Sequence, residues 1–280
     1  MAGLVSPDWL EERLGHPGVA LIEVSFYTPD KAAWFEGHIP GSRYVHWKEL
    51  CWDDTDRQFP DPDEMSRRLG AMGIDDDTTV VLIGDPIQFA TYAYWVLAMT
   101  GFEDRAVILD GGHLTWQRQG RPLTDAPPEP PVAAHPTPGT PVTDARTGRD
   151  DVLAHLGDAR RSLVDLRSAE EYAGVRVAPV TAPYDHGAER GGHIPGAVHL
   201  PHEHLLADDG TFLDPEGIRA AFESVGAGED TEVVTYCRLS HRASLGWFAT
   251  TRLAGRQNVR VYDGSWTEWG SMVGMPIERP

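Results

Sequence analysis

The chain contains an internal duplication, and this feature limits the folds open to it more than any other. The pentapeptide Gly-His-Ile-Pro-Gly occurs at residues 37–41 and again at residues 192–196. Three further short segments recur in similar form at a constant separation of 153 positions: Thr79-Val80-Val81 with Glu232-Val233-Val234, Tyr94-Trp95 with Trp247-Phe248, and Asp110-Gly111 with Asp263-Gly264. One structural unit is therefore expected to fold twice in this chain.

The two copies differ in length near their amino-terminal ends. Residues 21–24 resemble residues 163–166 at a separation of only 142 positions, so the second copy carries an insertion at about residues 174–190, here called the inserted segment. Between the copies, residues 121–141 contain eight prolines, which favour an extended, solvated spacer, although such a segment could also wrap across the surface of one domain. We expect an amino-terminal domain at 1–120, a linker at 121–145 and a carboxy-terminal domain at 146–280.

Composition narrows the classes of partner and compartment. The chain of 280 residues has 24 Lys and Arg against 43 Asp and Glu, a net charge of −19, which disfavours nucleic acid and membrane surfaces. The amino terminus lacks the pattern of a secretory signal, so we expect a cytoplasmic protein. Only Cys51 and Cys237 are present, which excludes a disulfide framework and a four-cysteine zinc site. We expect no metal and no cofactor.

Each copy alternates short β-branched runs with helical patterns. In the second copy the runs at 163–166, 232–236 and 259–262 predict strands, and 215–225 and 243–253 predict helices. Strands that alternate with helices indicate an α/β fold, here two domains that each have a mostly parallel sheet with helices on both faces. Ligands of such sheets bind beyond the carboxyl ends of the strands.

The residues that follow the predicted strand at 232–236 are the candidates for chemistry. They read Cys237, Arg238, Leu239, Ser240, His241 and Arg242, here called the cysteine loop. A cysteine between a strand and a helix lies near backbone N–H groups and the positive helix end, which together with cationic neighbours stabilise a thiolate and bind anions. The alternative, that Cys237 is a small core residue, is less compatible with so many cationic neighbours.

These features resemble the tandem-domain rhodanese family of thiosulfate sulfurtransferases. The resemblance rests on the repeated pentapeptide, on the cysteine loop and on the run from Tyr262 to Trp269. It implies that the Cys237 thiolate takes the outer sulfur of thiosulfate, releases sulfite, and passes the sulfur from a persulfide to cyanide, a thiol or a sulfur carrier. Arg238 points to thiosulfate as the anionic donor, whereas 3-mercaptopyruvate is the other donor of the family.

The cysteine loop departs from the usual family patterns at three positions. Leu239 replaces the lysine of one common form, Ser240 stands where glycine is usual, and His241 replaces the glutamate of another form. The serine suggests a strained or reshaped loop, because glycine reaches positive φ more easily. His241 is expected either to make activity depend on pH near neutrality or to be an exposed spectator.

Other residues enter the predicted site by resemblance. Arg176 and Arg190 of the inserted segment correspond to a stretch that carries substrate-contacting arginines in related enzymes. Many relatives also have an arginine directly before the tyrosine at 172, where this chain has Glu171. Asp165 and Arg167, at the end of the strand at 163–166, are expected to be a polar pair that supports the cysteine loop from behind.

The first copy lacks the nucleophile. Gly84 and Asp85 occupy the positions that correspond to Cys237 and Arg238, so we expect the first domain to be non-catalytic. Two alternative functions stay open. One is a phosphatase or arsenate reductase, although such sites place five residues between cysteine and arginine and this loop places four. The other is a module that delivers persulfide sulfur to a dedicated protein partner.

Overall fold

The structure is a computed structural model that describes residues 3–182 and 184–280. Met1, Ala2 and Pro183 lie outside the described residues, so the inserted segment is described except at Pro183. The chain divides into two compact units. Unit 1 comprises the described residues up to Thr143 together with Asp208–Thr211, and unit 2 comprises Asp144–Ala207 and Phe212–Pro280.

Unit 1 is built from short strands that alternate with helices. Its strands are β1 (Leu4–Val5), β2 (Val19–Ser25), β3 (Ser42–His46), β4 (Thr79–Asp85) and β5 (Ala106–Leu109). Its helices are α1 (Pro7–Glu11), α2 (Trp47–Cys51), α3 (Pro62–Ala71), α4 (Ile87–Met99) and α5 (Gly112–Arg118).

Unit 2 repeats this succession of elements. Its strands are β6 (Arg146–Thr147), β7 (Arg161–Asp165), β8 (Val198–His199), β9 (Glu232–Tyr236) and β10 (Val259–Tyr262). Its helices are α6 (Arg149–Ala154), α7 (Ala169–Tyr172), α8 (Pro215–Ser224), α9 (His241–Phe248) and α10 (Ser265–Trp269). A π-helical turn at Ala249–Leu253 continues α9.

The two sheets have the same topology. Within the described chain, the strand order is β1-β5-β4-β2-β3 in unit 1 and β6-β10-β9-β7-β8 in unit 2, and neighbouring strands pair in parallel. The register also repeats, since Glu23 is opposite Ile83 in unit 1 and Asp165 is opposite Tyr236 in unit 2. The predicted α/β class with a parallel sheet in each repeat is confirmed.

Equivalent residues build the two cores, which explains why the duplication is visible in the sequence. Each core combines strand residues, the isoleucine of the pentapeptide and a tryptophan of the last helix. In unit 1 these are Leu21, Ile39, Val81 and Trp116, and in unit 2 they are Leu163, Ile194, Val234 and Trp269. Burial of one such side chain stabilises the folded unit by about 1.5–3 kcal/mol. None of the described helices has both the length and the apolar composition needed to cross a bilayer.

The proline-rich linker lies on the surface of unit 1, so the alternative to a solvated spacer describes it better. Prolines remove donors from the segment, but its remaining amides and carbonyls are still available for hydrogen bonds. They bond to α3 and to the residues that follow α4: Ala134 N donates to Gly70 O at 3.0 Å, Pro136 O accepts from Ser66 Oγ at 2.6 Å, and Gly139 N donates to Gly101 O at 2.7 Å.

Gly70 allows the closest approach of the linker to α3. A Cβ atom at this position would lie 1.9 Å from the carbonyl oxygen of Ala134. We therefore expect Gly70→Ala to displace the linker and to destabilise unit 1 by about 1–3 kcal/mol, despite the better helix propensity of alanine. Urea unfolding and the rate of proteolytic cleavage within the linker measure this effect.

Gly228→Ala is the matched control, because a Cβ at Gly228 meets no atom within 4 Å. It should change the free energy of unfolding by less than about 0.5 kcal/mol. A Gly70→Ala protein as stable and as resistant to proteolysis as this control would show that the linker does not depend on the contact.

Candidate active site

The cysteine loop lies at the carboxyl edge of the unit 2 sheet. Strand β9 ends at Tyr236, the loop follows, and α9 begins at His241, two residues before the predicted start of the helix. Cys237 is only 1% exposed. Its surroundings are polar, however, because the charges of both Arg238 and Arg242 interact with it. Cys237 is therefore not a thiol packed only among aliphatic side chains.

The first residues of α10 hold the backbone of the cysteine loop. The N–H of Cys237 donates to Ser265 Oγ at 3.2 Å, and the N–H of Trp266 donates to the carbonyl of Cys237 at 2.9 Å. The N–H of Thr267 donates to the carbonyl of Arg238 at 3.1 Å. Because strands β9 and β10 are parallel neighbours, their following loops meet at one edge and can form these bonds.

Ser240 takes the left-handed conformation in which glycine is usual, with φ 71° and ψ −13°. This backbone costs a residue with a Cβ about 1–2 kcal/mol. The hydroxyl of Ser240 donates to Asp263, whose carbonyl oxygen and Oδ1 both lie within hydrogen-bond distance. The other carboxylate oxygen of Asp263 accepts from Arg146 Nη2 at 2.8 Å. The loop thus keeps a glycine-like backbone and anchors it through the serine side chain.

Arg242 does not point freely into an anion site. Its Nη1 and Nη2 donate to Glu171 Oε2 and Oε1 at 2.6 and 2.8 Å, and Glu171 is completely buried. Burial lowers the pKa of Arg242, but the hydrogen bonds and charge of Glu171 outweigh this effect and leave the pKa above its ordinary value. The pairing is bidentate, the strong geometry for guanidinium and carboxylate.

Arg238 is the more available arginine of the cysteine loop. Its Nε donates to the carbonyl of His186 in the inserted segment at 3.2 Å. Burial is the main reason that the pKa of Arg238 is lowered, and Glu171, Cys237 and Asp185 are close enough for their charges to oppose it. Leu239 is half-buried, and His241 is buried, so His241 is not the exposed spectator that was one of its two expected roles.

Arg176 and Arg190 bind backbone carbonyls. The guanidinium of Arg176 donates to Ala178 O and Pro179 O at 3.1 and 3.2 Å. The guanidinium of Arg190 donates to four carbonyls of the carboxy-terminal segment, those of Trp269, Met272, Gly270 and Met275, at 2.7–3.1 Å. The structure therefore places both arginines where they order the chain around the inserted segment.

Asp165 and Arg167 form a buried pair behind the cysteine loop. Arg167 Nη2 donates to Asp165 Oδ2 at 2.6 Å and to Gly192 O at 2.7 Å. The same guanidinium lies over the ring of Trp266, 4.5 Å from its centre. The backbone N–H of Trp266 donates to the Cys237 carbonyl. The Asp165–Arg167 pair therefore supports the loop through Trp266.

Three features of the site were not anticipated from the sequence. Ser265 and Asp263 bind the loop, and Glu171 binds Arg242. The signal for Glu171 was partly hidden, because Ser168 and Glu171 also form the capping box of α7, which accounts for both residues without a role in the site.

The histidines near Pro201 differ in exposure, since His199 and His202 are half-buried and His204 is exposed. His199 Nε2 bonds to Arg167 O at 2.9 Å, and its ring stacks on Tyr172 with centroids 4.6 Å apart. Burial lowers the pKa of His202, against the effect of its hydrogen bond to Glu203.

The equivalent loop of unit 1 is closed. A Cβ at Gly84 would lie 2.5 Å from Ile87 Cα, so the backbone leaves no room for a cysteine side chain. Asp85 Oδ2 instead accepts from Ser25 Oγ at 2.9 Å. Buried Glu23 pairs with His113 at 2.9 Å, and burial raises the pKa of Glu23 against the opposing hydrogen bond and charge of His113.

Comparison with known proteins agrees with this geometry. The family model for the rhodanese-like domain matches the chain twice, at residues 6–119 and 149–272. The chain belongs to the rhodanese-like family. It is thus a tandem rhodanese, as the repeated motifs predict, and its sulfurtransferase family is now established.

Curated relatives match this rhodanese over nearly its full length. The "Sulfur carrier protein TtuD" of Thermus thermophilus is 39% identical over 280 residues, 99% of this chain and 96% of the relative. The "Putative thiosulfate sulfurtransferase" of Saccharopolyspora erythraea is 39% identical over 278 residues, again 99% and 96% of the two chains.

Solved structures share the fold. An anaerobic ergothioneine biosynthesis enzyme from Chlorobium limicola, in complex with trimethyl histidine, superposes with a TM-score of 0.81 at 22% identity and covers 99% of this chain and 70% of that one. The crystal structure of YnjE gives a TM-score of 0.81 at 26% identity, over 99% and 68% of the two chains.

The conformation of Ser240 gives a test of how the rhodanese loop is held. Ser240→Ala loses the bond to Asp263 and keeps the left-handed strain, whereas Ser240→Gly loses the bond and removes the strain. We expect Ser240→Ala to be less stable than Ser240→Gly by about 1 kcal/mol in urea unfolding.

Ser244 supplies the comparison, because it lies within α9 on ordinary helical backbone. There the order should reverse, with the alanine variant more stable than the glycine variant by about 1 kcal/mol. If the alanine variant is more stable than the glycine variant at both positions, the anchored left-handed loop is contradicted.

Proposed function

We propose that this rhodanese transfers sulfane sulfur through a persulfide on Cys237, with thiosulfate as the first donor to test. The observation that carries this proposal is the placement of Cys237 at the carboxyl end of β9, in a loop held by hydrogen bonds and beside two guanidinium groups. Such surroundings suit an anionic donor.

The reaction balances with the donor and the thiolate alone. The Cys237 thiolate forms a bond to the outer sulfur of thiosulfate, the sulfur–sulfur bond of the donor breaks, and its electron pair leaves with sulfite. The persulfide keeps the negative charge. An acceptor such as cyanide or a thiol then attacks the outer sulfur, and the electron pair of the broken bond returns to Cys237.

Arg238 is the residue that we propose to bind the donor. It is half-buried, follows Cys237 directly and is held through Nε by the His186 carbonyl, which orients the rest of the guanidinium. Leu239, Ser240 and His241 complete the loop around the sulfur. Arg176 and Arg190 are proposed to act on the donor only through the order that they impose on the inserted segment.

The pairing of Arg242 disfavours the phosphatase and arsenate reductase alternative. A phosphoryl group with several charged oxygens needs a guanidinium that can clamp it. Here Nη1 and Nη2 of that arginine are bound to Glu171. Sulfur transfer needs less charge neutralisation, because the atom transferred is a single sulfur.

Uptake of sulfur by Cys237 is the first prediction. After incubation with thiosulfate, the intact mass of the wild-type protein should rise by one sulfur and return to its starting value with cyanide. Cys237→Ser should gain no sulfur, because a hydroxyl is a far weaker nucleophile and cannot hold a persulfide. Mass spectrometry of the intact chain measures both.

Cys51→Ala is the control, since Cys51 is fully buried and burial raises the pKa of its thiol. This variant should take up sulfur like the wild type. A wild-type protein that gains no sulfur from thiosulfate or from 3-mercaptopyruvate would refute the proposed function.

The role of Arg238 gives a second prediction. Arg238→Gln should raise the transition-state free energy of the reaction with thiosulfate by about 1.5–3 kcal/mol, and kcat/KM should fall accordingly. This is the strength of a hydrogen bond to a charged group. Steady-state assays with cyanide as acceptor measure this loss.

Arg160→Gln removes the same charge from an exposed side chain that pairs with Asp158, and it should alter kcat/KM by less than about twofold. Equal kinetics for the two variants would mean that Arg238 does not contact the donor.

Delivery of sulfur to a protein partner is a second candidate, favoured by the name of the Thermus relative. The burial of Cys237 favours small acceptors instead, because a protein thiol would have to reach a covered sulfur. Discharge of the persulfide by cyanide and by cysteine, measured in isolation, separates the two: slow discharge by both small acceptors would favour delivery.

We further propose that unit 1 is non-catalytic and that the protein acts in the cytoplasm. The closed loop at Gly84 supports the first statement. The presence of two cysteines, both free, supports the second, because proteins of reducing compartments rarely depend on disulfides.

A further inference from the structure

Glu171 is a fully buried carboxylate next to the cysteine loop that the proposed reaction does not use. It lies in α7, where the N–H of Ser168 also donates to its Oε2 at 3.1 Å. The same oxygen accepts from Arg242 at 2.6 Å and the second oxygen accepts at 2.8 Å. The carboxylate is therefore fixed from two sides and satisfied as an anion.

This pairing commits the charge of Arg242 to Glu171. Both terminal nitrogens donate to the carboxylate, and Arg242 itself is 7% exposed. An anion that drew the guanidinium of Arg242 away from Glu171 would have to break a buried, bidentate ion pair. Breaking such a pair leaves an uncompensated buried charge and is strongly unfavourable.

The remaining charges at the loop nearly cancel. Arg238 is positive, the reacting form of Cys237 is negative, and Arg242 and Glu171 neutralise each other. The charge of Glu171 also acts on Arg238, and so does that of Asp185 in the inserted segment. A donor with two negative charges therefore meets a site without net positive charge, on a protein whose net charge is −19.

We propose that Glu171 determines the charge of the sulfur donor. By holding Arg242, it makes the site select sulfane-sulfur donors with a single negative charge over dianionic donors such as thiosulfate. This inference rests on the proposed function and concerns the same site. With a thiosulfonate, the Cys237 thiolate bonds to the outer sulfur, the sulfur–sulfur bond breaks, and its electron pair leaves with the sulfinate.

Methanethiosulfonate and thiosulfate form a matched pair of probes. Both offer an outer sulfur on a sulfonyl sulfur, and a methyl group replaces one charged oxygen in the monoanion. In the wild type, added KCl should raise kcat/KM for thiosulfate more than kcat/KM for methanethiosulfonate, because salt screens the repulsion of the dianion. A fall with salt for thiosulfate would overturn the proposal.

Glu171→Gln tests the residue itself. Glutamine keeps the capping box and one acceptor for Arg242, while the site gains one positive charge. We expect KM for thiosulfate to fall about tenfold with little change in kcat, the size of one added charge-assisted contact, and KM for methanethiosulfonate to change by less than about threefold.

Glu170→Gln is the matched control, because it removes the same charge from the neighbouring, exposed residue of α7. The double variant Glu171→Gln/Arg242→Gln restores a neutral pair and should return the ratio of the two KM values to that of the wild type. A ratio in Glu171→Gln equal to that in Glu170→Gln would refute the role of Glu171. If Glu171→Gln fails to fold, the salt dependence of kcat/KM for the two donors in the wild type tests the proposal.

A separate readout distinguishes this inference from the proposed function. If the wild type accepts sulfur neither from these two probes nor from 3-mercaptopyruvate, sulfur transfer as proposed is refuted, and Glu171 is judged by protection of Cys237 from iodoacetamide. Sulfate should then protect Glu171→Gln at about tenfold lower concentration than the wild type, whereas methanesulfonate should protect both alike. Equal protection by sulfate would overturn the inference.

Discussion

The site of this rhodanese depends on the hydrogen bonds that join the turn after β10 and the first residues of α10 to the cysteine loop after β9. Both strands end at the same edge of a parallel sheet, so the two connections lie side by side. The start of α10 supplies one acceptor and two donors to the backbone of Cys237 and Arg238, and Asp263 in the turn accepts from Ser240. A loop fixed in this way can hold a sulfur anion without reorganisation during the reaction.

The two units show that one topology can keep or lose such a site through a few backbone contacts. Ser265 and Gly112 occupy equivalent positions and have φ values of 51° and 61°. In unit 2 the Ser265 hydroxyl accepts from Cys237 and donates to Tyr262 O at 2.8 Å. In unit 1 a Cβ at Gly112 would lie 2.5 Å from Gly84 O, so the two connections touch directly. The strained serine thus keeps open the space that the glycine closes.

Features set by residues that are close together in the sequence could be predicted, whereas contacts between residues far apart in the sequence could not. Strands β9 and β10 and the position of Cys237 follow from local patterns, and the structure has both strands at the predicted residues. The Glu171–Arg242 pair joins residues 71 positions apart, and no local pattern signals it. The linker composition likewise predicts extension but not the surface on which it lies.

Buried ion pairs, rather than the number of arginines, set the electrostatic character of the loop. Desolvation offsets most of the attraction within such pairs, so they add little net stability. Their effect is to neutralise particular charges inside the protein: Asp165 pairs with Arg167, and Glu171 pairs with Arg242. Arg238 is then the loop arginine left to an incoming anion, because its Nε binds a carbonyl and not a carboxylate. A cysteine loop with two arginines consequently offers a donor the charge of one.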